Sequence, residues 1–274
     1  MNKTILVTGS TDGIGKQTAF ELAKLGAKVL IHARSKDRGL PVLDEIRRSS
    51  SNQDVQLYIA DFASLEEVKS MADQIKKDHE KIDVLINNAG VLLKTFHKTD
   101  SGFEKTFCVN HLAPFSLTLQ LLPLLKRSEQ SRILNISSIA HTNSPLLGLE
   151  RLHDKIAFGG YQTYALTKLC NVLFTYELVR KLDSTNITAN ALHPGTIGTK
   201  LLKAGFNMGG ASWQTGAQTP VYLATNDELH NTTGKYFTNM QEVSSSAYSY
   251  KPELREMLWN YSEECTEIYF NHYF

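Results

Sequence analysis

The sequence predicts an α/β fold, a doubly wound parallel sheet with helices on both faces. Two observations carry that prediction. Short β-type apolar runs alternate with longer amphipathic segments along most of the 274 residues, the pattern of right-handed βαβ crossovers. A glycine-rich turn also joins the first strand-like run directly to the first helix-like one. No internal repeat, low-complexity tract or Gly/Ser/Pro linker interrupts the pattern, so residues 1–274 read as a single domain.

Taken in order, Thr4–Thr8 is the first strand and Gly15–Leu25 the helix after the turn. Lys28–His32 and Val55–Ala60 are the next strands, and Leu65–Lys77 is an amphipathic helix. Val84–Ile86 and Arg132–Ser137 follow, then the helical stretch Tyr164–Leu182 and the strands Ile187–Ala191 and Lys235–Phe237. The strand runs are short and dominated by Val, Ile and Leu, as expected where both faces of a sheet are covered. Leu112–Leu125 is the most apolar stretch. Two prolines, Ser116, Thr118 and Gln120 interrupt it, so it falls short of the ~18 unbroken apolar residues of a spanning helix. Between Leu201 and Ala247, richer in Gly, Ser, Thr and Asn, loops and short helices are expected. A helix returns near Pro252–Ser262, with Pro252 suited to its first turn.

Composition narrows the function classes. Lys plus Arg total 29 against 28 Asp plus Glu, so no basic excess marks a nucleic acid or anionic membrane partner. Cys108, Cys170 and Cys265 are far apart and form no CxxC, which argues against a disulfide scaffold or a zinc ribbon. No metal centre is expected. Met1-Asn2-Lys3-Thr4 runs straight into strand-like sequence, leaving no room for a signal peptide. The expectation is a soluble, cytoplasmic protein.

Five motifs point to chemistry. Thr8-Gly9-Ser10-Thr11-Asp12-Gly13-Ile14-Gly15 lies between a strand and a helix. Its glycines permit a sharp turn and close backbone approach, and the helix N-terminus offers N–H groups and a positive dipole end to a pyrophosphate. The second strand ends His32-Ala33-Arg34-Ser35. An acid near this point takes ribose hydroxyls in dinucleotide sites. Its absence beside Arg34, which Lys36 and Arg38 can assist, favours a 2′-phosphate and hence NADP over NAD. Asn87-Asn88-Ala89-Gly90 follows the fourth strand, with small residues to pass under a ribose and an Asn to tie strands together.

Tyr164 and Lys168 stand at i and i+4 on one helix face. An ordinary phenol titrates near 10, and a neighbouring cation lowers that value toward a useful range. Tyr161 is an alternative phenol, but Ala165 stands where its lysine should be. Finally, Arg132-Ile133-Leu134-Asn135-Ile136-Ser137-Ser138 is a strand closing on two serines, placed where doubly wound sheets bind ligands. A hydroxyl there can donate to an oxygen that gains negative charge.

Together these residues resemble the short-chain dehydrogenases/reductases, over nearly the whole chain from Thr8 to about Phe237. Shared features are the glycine motif, Asp61-Phe62 after the third strand, Asn87-Asn88-Ala89-Gly90, Asn110, Ser138, Tyr164/Lys168 and Pro194-Gly195. The resemblance implies a Rossmann-type domain with a seven-stranded parallel sheet, and usually a dimer or tetramer of the same chain. A cofactor half of about 1–130 would precede a catalytic and substrate-loop half of about 131–274. By resemblance, Tyr164 is the acid/base and Lys168 lowers its pKa and grips the nicotinamide ribose. Ser138 polarises the substrate carbonyl, with Ser137 as the alternative, and Asn110 holds a water linking Lys168 to solvent. NADP(H) would lie along Gly9, Ser10, Thr11, Asp12, Gly13, Ile14, Gly15 and Arg34, with adenine at Asp61 and Phe62. Asn87, Ala89 and Gly90 flank the ribose, and Pro194, Gly195, Ile197 and Thr199 orient the carboxamide.

Within that family the chain is most similar to the retinol-dehydrogenase-like branch. The residues concerned are His32-Ala33-Arg34, Ser137-Ser138-Ile139-Ala140-His141, Tyr164 through Asn171, and Gly234-Lys235-Tyr236-Phe237. The 26 residues from Ser138 to Tyr164 are about twice the family's usual interval, and the insert Thr142–Gly160 should form part of the substrate entrance. The branch's hydrophobic N-terminal anchor has no counterpart here, so membrane attachment is not carried over. The expected activity is NADP(H)-dependent interconversion of a lipophilic aldehyde or ketone with its alcohol. Pocket walls are expected from Leu146–Leu149, Phe158, Tyr161 and Leu201–Met208. The alternatives are reduction of an activated C=C bond, as in protochlorophyllide-reductase-like relatives, and a non-catalytic dinucleotide sensor.

Overall fold

The computed structural model describes residues 2–145, 148–206 and 209–274. Its sheet runs β3 (Val55–Ile59), β2 (Lys28–Ala33), β1 (Thr4–Val7), β4 (Val84–Asn87), β5 (Ser131–Ile136), β6 (Ile187–His193), β7 (Tyr236–Thr238), β8 (Gln241–Val243). Every pairing is parallel except β7 with β8. The first seven strands lie within two residues of their sequence-predicted positions. The eighth corrects the expected seven-stranded parallel sheet. It forms because Asn239 and Met240 both take positive φ, 49° and 62°, the twist a two-residue hairpin turn needs. Asn-Met carries no glycine to announce such a turn.

Helices α1 (Gly13–Lys24), α2 (Lys36–Ser50) and α8 (Trp213–Thr225) cover one face. Helices α3 (Leu65–Asp78), α5 (Ala113–Lys126) and α6 (Gly160–Lys181) cover the other. The sequence reading passed over α2, although Gly39, Val42, Leu43 and Ile46 are its buried residues at helical spacing. Residues Thr163–Leu178 of α6 are buried on all sides, because α9 (Pro252–Thr266) lies across its outer face. There the indole of Trp259 stacks on Phe174 and meets Phe115 edge-on, at 5.9 and 5.1 Å between centroids.

The short α4 (Lys105–Phe107) continues through a π-helical turn, Cys108–Leu112, into α5. The wider turn precedes Pro114, whose missing N–H and bulky ring an unbroken α-helix would not accommodate. Among the described residues, Lys105–Lys126 is the one helical stretch long and apolar enough to cross a membrane, with mean hydropathy 1.3. Its most apolar window is 94% buried inside the fold, the behaviour of a core helix.

Strand order reverses between β1 and β4, because β1 feeds outward to β2 and β3 whereas β4 leads to β5 and β6. The loops leaving the carboxyl ends of these two strands therefore diverge and open a crevice.

Candidate active site

The crevice is a cavity of about 500 Å³ that runs from the glycine turn to the Tyr164 face of α6. Gly9 takes φ +67°, and a Cβ there would lie 2.8 Å from Ala89 Cα, so only glycine lets the turn rest against the end of β4. A side chain at Gly15 would collide with Asn88 Nδ2 and the Gly9 carbonyl. Asn88 braces the turn by donating from Nδ2 to Thr8 O at 2.7 Å, while the Thr8 hydroxyl accepts from the Asn88 and Ala89 N–H groups.

A residue the sequence reading did not assign to the site pins the same turn. Gly9 N–H donates to His32 Nδ1 at 3.0 Å, and His32 Nε2 donates to Ala60 O at 2.9 Å. That pairing requires a neutral ring protonated on Nε2, and burial pushes its pKa down to about 4. The ring stacks on Phe62, 4.2 Å between centroids. Asp61, Phe62, Arg34 and Arg38 line this end of the cavity, and both arginines are exposed at its edge.

Two expected cofactor contacts face elsewhere. Ser10 is fully buried: its N–H donates to His32 O and its hydroxyl to Val7 O, so neither is left for a phosphate. Asn87 is still part of β4, and its amide donates to Thr118 Oγ1 at 2.9 Å and Asn135 Oδ1 at 2.8 Å. It ties the strand to α5 and β5, and Asn88, one residue on, is the one that reaches the crevice. Thr11, Asp12, Gly13, Ile14, Ala89, Gly90, Pro194, Gly195, Ile197 and Thr199 line the cavity.

At the inner end, Tyr164 and Lys168 project from α6, 6% and 3% exposed. The ammonium lies 5.6 Å from the phenol ring centroid and donates to Ile136 O at 3.0 Å. Ser138 and Tyr164 both line this end of the cavity, and the Ser138 hydroxyl is near enough to the phenol to favour its ionised form. Ser137, which also lines the cavity, donates its hydroxyl to Lys168 O at 2.7 Å. Burial dominates both titrations: it pushes Tyr164 up to about 12, against the opposing influence of the Ser138 hydroxyl, and Lys168 down to about 8. The expected lowering of the phenol by Lys168 is not seen, and the nearby Tyr161 phenol raises it further.

Asn110 sits in the π-helical turn and does not line the cavity. Its Oδ1 accepts from Val91 N–H at 2.7 Å, and its Nδ2 donates to Val91 O and Thr167 Oγ1. It flanks Gly90 together with Lys168, since a Cβ on Gly90 would lie 3.3 Å from Lys168 Nζ and 3.4 Å from Asn110 Oδ1.

The entrance differs most from expectation. Tyr161, Leu201 and Leu202 line the cavity. Leu149 is instead buried in a separate cluster with Phe107, Leu152 and Leu166, and Phe158 packs edge-on against Phe96 at 5.7 Å. Leu146, Leu147, Asn207 and Met208 lie outside the described residues. His193 lines the cavity with no sequence signal beyond preceding Pro194-Gly195, and burial with nearby His141 and Lys168 pushes it down to about 4. The turn carrying Gly198 is held by Trp213, whose Nε1 donates to Gly198 O at 3.0 Å.

The family described as short chain dehydrogenase matches residues 3–208. The chain is 36% identical to Retinol dehydrogenase 12 of Mus musculus, covering 97% of this chain and 87% of that protein. It is 38% identical to Retinol dehydrogenase 13 of Mus musculus, covering 95% and 82%. Among solved structures, an uncharacterized protein from Mycobacterium paratuberculosis superimposes with a TM-score of 0.81 at 30% identity, over 98% of this chain and 94% of that one. A short chain dehydrogenase from Escherichia coli CFT073, complexed with NADPH, shares the fold at a TM-score of 0.73 and 23% identity, over 88% and 98%.

Proposed function

Because this chain belongs to the short-chain dehydrogenase/reductase family, we propose that it is an NADP(H)-dependent oxidoreductase interconverting a lipophilic aldehyde or ketone with its alcohol. The observation that carries the reading is a single cavity with Arg34 and Arg38 at one end and Ser138, Tyr164 and Lys168 at the other.

The residues present fit a dinucleotide. The crevice floor at Gly9 and Gly15 has no space for side chains, so backbone alone meets a pyrophosphate there. The two exposed arginines are fixed charges suited to a 2′-phosphate, and Lys168 reaches a ribose beside Gly90. When bound, the nicotinamide supplies or accepts the hydride. The chain's own residues handle the proton. A phenol held near 12 is protonated at neutral pH, which suits it to donate to a carbonyl oxygen as that oxygen gains charge. The Ser138 hydroxyl, which lines the same end of the cavity, is the second donor to that oxygen. Asn110, whose Oδ1 lies on the same side of Gly90 as Lys168 Nζ, is the residue to take up a water between the ammonium and solvent. The likeness to retinol dehydrogenases makes retinoid-sized apolar aldehydes and alcohols the first class to assay.

The test is NADPH oxidation with a panel of lipophilic aldehydes and ketones, repeated with NADH, with the product identified. Alcohol formed faster with NADPH than with NADH is the expected result. A saturated carbonyl product, or preference for NADH, overturns the corresponding part of the reading.

A further inference from the structure

Lys200 opens α7 (Lys200–Phe206), the helix that carries Leu201 and Leu202 to the inner half of the cavity. Its Nζ lies 2.7 Å from Asp12 Oδ2, on the opposite lip. Asp12 is the N-cap of α1, and its other carboxylate oxygen accepts from Gly13 N–H at 2.9 Å. The lips approach each other closely, since a Cβ on Gly13 would lie 3.1 Å from Thr199 Cγ2. A carboxylate and an ammonium thus meet over the N-terminal turn of α1, and both residues line the cavity.

The position makes this pair unlike an ordinary surface ion pair. The N-terminal turn of a helix is where a phosphate is most favourably placed, because its first N–H groups have no intrahelical acceptor and the dipole end is positive. Asp12 already occupies that end with a negative charge, so an arriving pyrophosphate meets a like charge and a cation at one spot. The side chain of Lys200 is 83% exposed and that of Asp12 35%, so the pair adds little stability and separates readily.

We propose that Lys200 is a pyrophosphate-binding residue held in waiting by Asp12. When the dinucleotide enters, the ammonium leaves the carboxylate for the phosphate oxygens. Because Lys200 opens α7, cofactor binding and the position of Leu201 and Leu202 are coupled through this one lysine. The inference rests on the dinucleotide reading above.

Stopped-flow measurement of NADPH and NADH binding, followed by the nucleotide's own fluorescence, tests it. Binding of NADPH by the unaltered protein is the first readout, and its absence defeats the dinucleotide reading itself. Given binding, Lys200→Met is expected to speed dissociation of both nucleotides about tenfold, the loss of one charge-assisted phosphate contact. Lys200→Arg restores slow dissociation. Asp12→Asn, which keeps a capping oxygen but removes the competing charge, slows dissociation of both. Thermal midpoints stay unchanged in all three. Opposite signs for the two positions are decisive, because an ordinary tie between the lips would loosen equally from either side. Equal acceleration by Lys200→Met and Asp12→Asn, or dissociation within about twofold of the unaltered protein for Lys200→Met, overturns the proposal.

Discussion

The glycine-turn end of the crevice and the Tyr164 end are built differently. At the first, backbone is held by backbone and by buried side chains: His32 between Gly9 and Ala60, and Thr8 and Asn88 across the end of β4. Each group there has one geometry, fixed by strands on both sides. At the second, the reactive side chains stand on the buried helix α6, but the walls are completed by Ile139, Ala140 and Tyr161 and by the turn that carries Ile197, Leu201 and Leu202. Rigid recognition of a common part and adaptable recognition of a variable one are thus divided along one groove.

Removing the phenol oxygen separates the two ends most sharply. Tyr164→Phe should lower kcat by about 10²–10⁴ and leave the NADPH Kd, from fluorescence titration, within about twofold. A parallel loss of binding would mean the two ends are not independent.

Acid tests the turn's buried packing. Burial lowers His32, His111 and His193 from 6.5 to about 4, 3 and 4. The unfolded chain therefore takes up protons below pH 6.5 that the folded chain refuses. Stability from denaturant unfolding is full above about pH 7 and drains as pH falls from 6.5 toward 4, by about 1.4 kcal/mol per pH unit per histidine. His32→Gln should remove one histidine's share of that slope; an unchanged slope would show that His32 titrates freely in the fold.

Arg34→Ala should raise the NADPH Kd about 10-fold or more, the worth of a charge-assisted phosphate contact, and move the NADH Kd less than about twofold. Equal losses would place Arg34 away from the 2′-phosphate. The smallest effect belongs to the entrance. Tyr161→Ala, in the cavity lining, should raise KM for a long-chain aldehyde about threefold to tenfold at constant NADPH affinity, and an altered NADPH Kd would join the entrance to the glycine-turn end.

Where residue type and spacing themselves carry the chemistry, the sequence was readable. The glycine turn needs its glycines for steric reasons, and Tyr164 and Lys168 share a helix face by geometry alone. Ser10 bonds inward from the turn after β1, and Asn87 faces away from the crevice because a strand changes face at every residue. Asn87 remains in β4 and points into the core beside Thr118, and only at Asn88 does the chain leave the strand. Neither the length of β4 nor the inward turn of the Ser10 hydroxyl has a local signature. His32 escaped notice because its partners, Gly9 and Ala60, belong to other strand ends. Leu149 was assigned to the pocket on apolarity, a property that core and pocket residues share.

The two tryptophans stand in unlike places. Trp259 is 2% exposed among the aromatics under α9, whereas Trp213 is partly exposed and bonded to the turn beside the crevice. The protein thereby contains two intrinsic optical probes. Emission from Trp259 follows cooperative melting of the interior. That from Trp213, which also overlaps the absorption of reduced nicotinamide, registers rearrangement at the groove while the interior stays intact.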